Sequence, residues 1–221
     1  MGRFAGFPPA ALTFYEGLAA DNSKAYWQAN KAVYETDVKG AMLALLDELG
    51  AYGPFRIFRP YNDVRFAKGR PPYKEQIGAV TESDGGSTFY IRFAADGLRV
   101  GAGHFHMASD QLDRFREAVA SDSRGAEVAA ICAAAEKQGY TIGAMEELKT
   151  APRGYAKDHP RIDLLRRKGL VAFRSWDVAP WLHTRSVVKR VRDTWEGLAP
   201  LTTWLDSNVG PSTLPPPDFD R

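Results

Sequence analysis

A β-hairpin is the element that this sequence specifies most firmly. Residues 88–94 (TFYIRFA) and 98–103 (LRVGAG) have the residue pattern of strands, and Ala95-Asp96-Gly97 between them supplies a tight turn. Strands joined by so short a turn pair antiparallel. A second turn signal at 83–87 (SDGGS) follows a short strand predicted near 77–80, so we expect antiparallel pairing to dominate the sheet.

Segments with helical spacing of apolar residues flank these strands. Two helices are predicted within residues 8–50, separated at Asp21-Asn22-Ser23, and others at 109–120, 125–138, 160–168, 179–196 and 198–208. Further strands are predicted at 55–60, 140–142 and 170–176. The fold class is therefore predicted to be α+β, with a mainly antiparallel sheet and helices packed around it. Because no composition shift marks a boundary, residues 1–208 are expected to form a single domain, followed by a disordered Pro-rich tail over 209–221.

Composition excludes several classes of protein. The 221 residues are 44% hydrophobic and 25% charged, which is typical of a globular chain and not of a disordered or membrane protein. Cys132 is the single cysteine, so an internal disulfide is excluded. The first ten residues (MGRFAGFPPA) make a poor signal peptide. We therefore expect a cytoplasmic protein with no membrane association.

Basic residues concentrate in two segments of the chain. The first basic segment, residues 55–74, holds six basic residues and one acidic residue, and the second basic segment, residues 149–174, holds eight and two. Because the whole chain has a net charge of only +2, the remainder is acidic. Two such segments focus a positive potential on one region if they meet in space. The alternative is that each is a solvated face of the protein.

The basic segments also carry the residues that we predict to form a site. Guanidinium groups bind oxyanions through paired hydrogen bonds, and aromatic rings between them can stack on a ligand. The predicted ligand-binding residues are Arg59, Asn62, Arg65, Lys68, Tyr73 and Lys74 in the first segment and Arg153, Tyr155 and Arg161 in the second. Asp63 and His159 are the predicted catalytic acid–base pair, because they are the carboxylate and the imidazole embedded in these segments. The structural alternative is a loop of arginine–carboxylate pairs that fastens the sheet to the helices.

Three functions are compatible with these residues. The first is a binding protein or enzyme that takes a small anionic molecule, bearing phosphate or carboxylate, in a basic cleft. The second is a nucleic-acid-binding module that uses the same cations with Tyr61, Phe66 and Tyr73 on an open surface. The third is a protein-interaction scaffold. The small net charge favours the first, because a duplex-binding protein usually has a broad basic face. The sequence leaves the oligomeric state undetermined.

Metal and cofactor sites are not predicted. His104 and His106 would share one face of a strand, a spacing that metal sites use, but a third ligand would have to come from His159, His183 or a carboxylate. Two half-exposed histidines near a cleft are the expected arrangement. The glycines do not form a dinucleotide-binding fingerprint, and the phosphate-binding Walker motif is absent from the sequence.

Several of these motifs together carry a family resemblance. The run Arg59, Asp63, Arg65, Phe66, Lys68, Tyr73 and Lys74 resembles the signature of the domain-of-unknown-function family 2461. Matching positions elsewhere are Phe4, Gly6 and Phe7; Asn22, Trp27, Asn30 and Tyr34; and Pro152 to Tyr155 with Asp158 to Pro160. The chain departs from the pattern at Ala67 and Gly69, where Ser and Asp are expected. The resemblance spans about residues 4–208 and implies that both basic segments are signature segments, but it implies no activity.

Overall fold

The computed structural model describes residues 2–63, 69, 71–81 and 86–214 of the chain. The strands are β1 (Phe55–Ile57), β2 (Gln76–Thr81), β3 (Thr88–Ala94), β4 (Gly97–His104), β5 (Thr141–Gly143) and β6 (Leu170–Trp176). Among the described residues they form a six-stranded antiparallel sheet in the order β1-β2-β3-β4-β6-β5. The helices are α1 (Pro9–Ala20), α2 (Lys24–Val33), α3 (Gly40–Glu48), α4 (Ser109–Ala120), α5 (Asp122–Lys137), α6 (Ile162–Leu165), α7 (Ser186–Gly197) and α8 (Ala199–Asn208). The predicted α+β class is confirmed.

The chain divides into two compact units, which we describe separately. Unit 1 comprises Met1–Glu82, Tyr90–Val100 and Ser175–Thr194. Unit 2 comprises Ser83–Phe89, Gly101–Arg174 and Trp195–Arg221. The single domain over residues 1–208 stays a prediction.

The first helices of unit 1 begin where the sequence predicts. Pro8 and Pro9 open α1, where the missing N–H groups cost nothing, and the hydroxyl of Ser23 caps α2 by accepting from the backbone N–H of Tyr26 at 3.1 Å. After α2 the structure differs from the prediction. Residues Tyr34–Lys39 form a π-helical segment where an α-helix is predicted. Such wide turns are rare and often occur near functional sites.

The core of unit 1 packs aromatic side chains against β2 and β3. Phe7 is fully buried and stacks on Phe93 with ring centroids 4.1 Å apart. Strand β2 is longer than predicted and pairs with β3 so that Gln76 lies opposite Ala94. The predicted strand at 55–60 ends at Ile57, and Pro60 has no N–H to extend the pairing.

Two predicted helices are shorter in the structure. The segment 179–196 is interrupted at Thr184, whose extended backbone separates a 3-10 turn (Pro180–His183) from α7. In unit 2 the helix predicted at 160–168 is only α6, because the chain after Leu165 pairs with residues 146–148 instead. The N–H of Lys168 donates to the carbonyl of Glu146 at 2.9 Å.

Residues 209–214, the beginning of the predicted tail, lie against α4. The guanidinium of Arg114 donates to the carbonyls of Val209 and Pro211 at 2.6 and 2.7 Å. The carboxylate of Asp110 accepts from the N–H of Thr213 at 2.8 Å and the hydroxyl of Ser212 at 2.7 Å. These hydrogen bonds, led by that of the Thr213 N–H, hold the pKa of Asp110 well below its usual range. The rest of the predicted tail, 215–221, lies outside the described residues.

His104 is the most deeply buried titratable group of β4. Its side chain lies 3.3 Å from a carboxylate oxygen of Asp206, which also accepts from the N–H of Ser87 at 2.8 Å. The second ring nitrogen, Nδ1, is buried and has no hydrogen-bond partner among the described residues. Burial lowers the pKa of His104 below its ordinary value of 6.5, and the contact with Asp206 opposes this effect without cancelling it.

We predict that this histidine makes the protein less stable in acid. Because the pKa is lower in the folded chain, the unfolded chain binds the proton first as pH falls below about 6.5. The free energy of unfolding should then decrease, and His104→Asn, which cannot titrate, should remove this part of the decrease. Urea unfolding between pH 8 and pH 5 measures it, with the exposed His106→Asn as the control. Parallel curves for wild type and His104→Asn would contradict the prediction.

Candidate functional site

Two described stretches of the first basic segment, residues 61–63 and 71–74, are held together in unit 1 and form the base of the loop predicted between them. Tyr61 and Tyr73 form an antiparallel bridge across it. The N–H of Asn62 donates to the carbonyl of Pro72 at 2.9 Å, and the N–H of Lys74 donates to that of Pro60 at 2.7 Å. The base of the loop is therefore held like a short hairpin. Residues 64–68, with the predicted ligands Arg65 and Lys68, lie outside the described residues.

Asn22 clamps this base to the helices. Its amide donates to the backbone carbonyl of Tyr73 at 3.0 Å, and its carbonyl accepts from the N–H of the same residue at 3.1 Å. The same amide also donates to the carboxylate of Glu75 at 3.1 Å. A side chain with a donor and an acceptor thus satisfies both backbone groups of one residue, which fixes where Tyr73 lies.

Asn62 and Tyr73, two predicted ligand-binding residues, also have structural contacts. The amide of Asn62 donates to the carbonyls of Pro71 at 2.8 Å and Tyr73 at 3.2 Å. The ring of Tyr73 is buried and stacks on Trp27 with centroids 4.4 Å apart and planes 5° from parallel. Tyr34, the first residue of the π-helical segment, lies 4.8 Å from Trp27 between centroids. Burial raises the pKa of Tyr34 to about 12, so its phenol stays protonated at neutral pH and cannot serve as a base.

A cleft of about 530 Å³ opens beside this loop base, entirely within unit 1. Three predicted ligand-binding residues, Asn62, Tyr73 and Lys74, line one side of it. The other side is the end of β3, because the pairing of Gln76 with Ala94 brings the start of β2 next to it. The remaining lining residues are Ala19, Pro71, Glu75, Gln76, Arg92, Ala94, Ala95 and Asp96. A volume of this size suits a small molecule.

Arg92 is the cation of the cleft that sequence reasoning missed. It follows Ile91 and precedes Phe93, both fully buried, so its side chain projects from the opposite face of β3. Its side chain is only 15% exposed. One terminal nitrogen of the guanidinium pairs with Asp96, while the buried Nε has no hydrogen-bond partner among the described residues.

A buried guanidinium N–H without an acceptor is costly, so the cleft suits a ligand that supplies an oxygen. The available signal in the sequence was a single cation in the otherwise apolar segment TFYIRFA. A lone cation in a strand usually indicates a solvent-facing position on an edge strand. Strand β3 is not at the edge of the sheet, because it has a neighbouring strand on each side.

Arg161, in the second basic segment, joins two helices of unit 2. Its guanidinium donates to the carbonyls of Val119 at 2.7 Å, Ala120 at 3.1 Å and Ser121 at 3.2 Å, where α4 ends and α5 begins. Gly125 leaves room for this arrangement, because a Cβ there would lie 2.0 Å from the carbonyl oxygen of Val119 and 2.5 Å from the Arg161 Nε. The guanidinium is thus occupied by the protein's own carbonyl groups.

The other predicted residues of the second segment differ in their surroundings. The Nδ1 of His159 accepts from the backbone N–H of Arg161 at 3.0 Å, so this imidazole nitrogen is used in a local turn. Arg153 is exposed, and Tyr155 is half-buried, with its pKa raised by burial. These residues belong to unit 2, whereas Asp63 belongs to unit 1. That the two segments share one pocket, and that Asp63 and His159 act as a pair, stay predictions.

The two histidines of the possible metal motif differ in burial. Strand β4 ends at His104, which is buried, whereas His106 is exposed after the strand has ended. The expectation of two half-exposed histidines was therefore wrong for His104. Within the described ranges, the His, Cys, Asp and Glu residues form no group of three that could hold a metal ion. In the same ranges no helix is both long enough and apolar enough to cross a membrane.

We predict that Asn22 contributes more to the stability of the fold than Asn30 of α2 does. Asn22→Ala removes both bonds to the Tyr73 backbone and should lower the free energy of unfolding by about 1–3 kcal/mol. Asn30→Ala is the matched control, since among the described residues Asn30 donates to the carbonyl of Tyr26 alone, within α2 and at 2.9 Å. Equilibrium urea unfolding measures both variants, and equal losses would argue against the clamp.

We also predict that Arg161 is needed for stability. Arg161→Gln removes charge-assisted hydrogen bonds to three carbonyls and should cost about 2 kcal/mol, which lowers the melting temperature by several degrees. Arg153→Gln is the control, because Arg153 is exposed in the same segment, and it should melt like the wild type. Thermal unfolding followed by circular dichroism distinguishes the two variants. An unchanged melting temperature for Arg161→Gln would exclude this structural role.

The comparisons with known proteins agree with the resemblance of the motifs. The family model described as Conserved hypothetical protein (DUF2461) matches residues 10–204, a range that includes both basic segments. No curated protein and no solved structure matches the chain. The match covers most of the 221 residues, and the chain therefore belongs to the conserved hypothetical protein family DUF2461.

Proposed function

We propose that this protein binds a small molecule carrying a carboxylate or a phosphate in the unit 1 cleft. The observation that carries the proposal is the buried Nε of Arg92, which has no acceptor among the described residues and belongs to a residue that lines the cleft. A ligand oxygen would complete the hydrogen bonding of the guanidinium if binding turned the side chain so that Nε faces the cleft.

Two further features support an anionic group in this cleft. Lys74 adds a second positive charge to its lining. The backbone around Lys74 is fixed by the bond of its N–H to Pro60 and by the clamp on Tyr73, so little ordering is required on binding. The sequence adds Arg59, Arg65 and Lys68 in the same basic segment as predicted contacts.

Nucleic-acid binding is the second candidate, and Tyr61 favours it. Its ring is 47% exposed at the base of the basic loop, where an unpaired base could stack on it. A cleft of about 530 Å³ nevertheless suits a small molecule better than a polymer. Fluorescence anisotropy with a single-stranded oligonucleotide at low salt separates the two, because nucleic-acid binding would weaken steeply as salt is added.

We predict that Arg92 is required for anion binding. Inorganic phosphate, succinate or citrate should raise the melting temperature of the wild type in proportion to the logarithm of its concentration, beyond the effect of chloride at equal ionic strength. Arg92→Gln should lower the affinity for the anion about tenfold or more, because it removes a charge-assisted hydrogen bond. Differential scanning fluorimetry gives both results.

The control for this experiment is Arg56→Gln. Arg56 is exposed on β1, lies over the ring of Phe58 and does not line the cleft, so its loss removes the same charge at another place. The proposal is overturned if no anion of the panel stabilises the wild type. It is also overturned if Arg92→Gln and Arg56→Gln respond to the anions like the wild type.

A further inference from the structure

The unit 1 cleft carries charges of both signs. Beside Lys74 and Arg92, its lining includes the carboxylates of Glu75 and Asp96. A molecule with anionic groups alone would be attracted by the first pair and repelled by the second. The lining therefore discriminates among anions by what else they carry.

Each carboxylate has one oxygen committed to the protein. An oxygen of Glu75 accepts from the amide of Asn22 at 3.1 Å, and an oxygen of Asp96 pairs with Arg92. Among the described residues, the second oxygen of each makes no hydrogen bond, and both side chains are exposed. Two carboxylate oxygens can thus accept hydrogen bonds from a ligand ammonium group.

The strand register separates Arg92 from the two carboxylates, whereas Lys74 lies beside Glu75 at the same end. Arg92 lies opposite Gly78, two residue pairs inward from the pair of Gln76 with Ala94. Glu75 precedes that pair on one strand, and Asp96 follows it in the turn of the other. Both carboxylates therefore stand at the open end of the paired strands, while the buried Nε of Arg92 lies further in.

We infer that the cleft takes a small zwitterion, a molecule with a carboxylate or phosphate at one end and an ammonium group at the other. This inference rests on the proposed function, since it uses the same cleft and the same contact with Arg92. The anionic end binds Arg92, and the ammonium group binds between Glu75 and Asp96. The preferred ligand is of the size of an amino acid or an aminoalkyl phosphate.

Four probes with matched carbon chains test this assignment. They are 4-aminobutyrate (a zwitterion), butyrate (an anion), succinate (a dianion) and butylamine (a cation), each titrated by differential scanning fluorimetry at constant ionic strength. We expect 4-aminobutyrate to bind the wild type at least tenfold more tightly than the other three. Phosphoethanolamine and ethyl phosphate form a second matched pair and should show the same preference.

The double variant Glu75→Gln with Asp96→Asn provides the specificity control. Gln keeps the acceptor oxygen that Asn22 uses, and Asn suits the turn that Asp96 occupies, so the fold should be retained. In this variant butyrate and 4-aminobutyrate should bind equally, because the carboxylates that would hold the ammonium group are gone. The loss of the Asp96 charge beside Arg92 affects both ligands alike. A melting temperature close to that of the wild type without ligand verifies the fold.

The outcomes separate this inference from the proposed function. Equal affinity of the wild type for butyrate and 4-aminobutyrate would overturn the zwitterion and leave the anion site intact. Binding of butylamine as tight as that of 4-aminobutyrate would also overturn it, because the anionic end would then contribute nothing. If neither the carboxylates nor the phosphates bind, both the inference and the proposed function fail.

Discussion

The fixed position of the Tyr73 backbone is the constraint on which the unit 1 cleft depends. Asn22 satisfies both the N–H and the carbonyl of this residue, and Trp27 stacks on its ring. Pro71 on one side and Lys74 to Gln76 on the other line the cleft, so their positions follow from this anchor. Asn22 and Trp27, two of the residues that carry the family resemblance, thus fix the base of the loop that carries basic residues.

The parts of the fold that local chemistry determines were predicted from the sequence. The β3–β4 hairpin, the capped start of α2 and the α+β class follow from turn residues, caps and periodicity. The end of α6 at Leu165 was not predicted, because it depends on pairing with a distant segment. The break at Thr184 was not predicted either, because it depends on the extended backbone of that one residue. The pairing of Lys168 with Glu146 joins segments whose proximity no local pattern encodes.

The candidate site shows the same limit more sharply. The distribution of charge along the sequence located the basic segments. It could not distinguish a guanidinium whose N–H groups already have protein acceptors from one that lacks an acceptor. Arg161 was predicted to bind a ligand, yet three backbone carbonyls surround its guanidinium. Arg92 was overlooked within a strand, yet its Nε lacks an acceptor among the described residues. What separates them is the set of neighbouring oxygens, which only the folded chain supplies.

The π-helical segment between α2 and α3 keeps buried residues that are spaced four apart on one face of the helix. Tyr34, Val38 and Met42 are buried at intervals of four residues, whereas an α-helix repeats every 3.6. In a regular helix such positions would rotate steadily away from a common face. The wider turn from Tyr34 to Lys39 compensates for this difference in spacing. The aromatic residues of α2 can therefore contact the loop while the aliphatic residues of α3 face the interior. Deleting one residue from this segment would rotate α3 by about 100° relative to α2. The buried faces of the two helices would then no longer point to the same side.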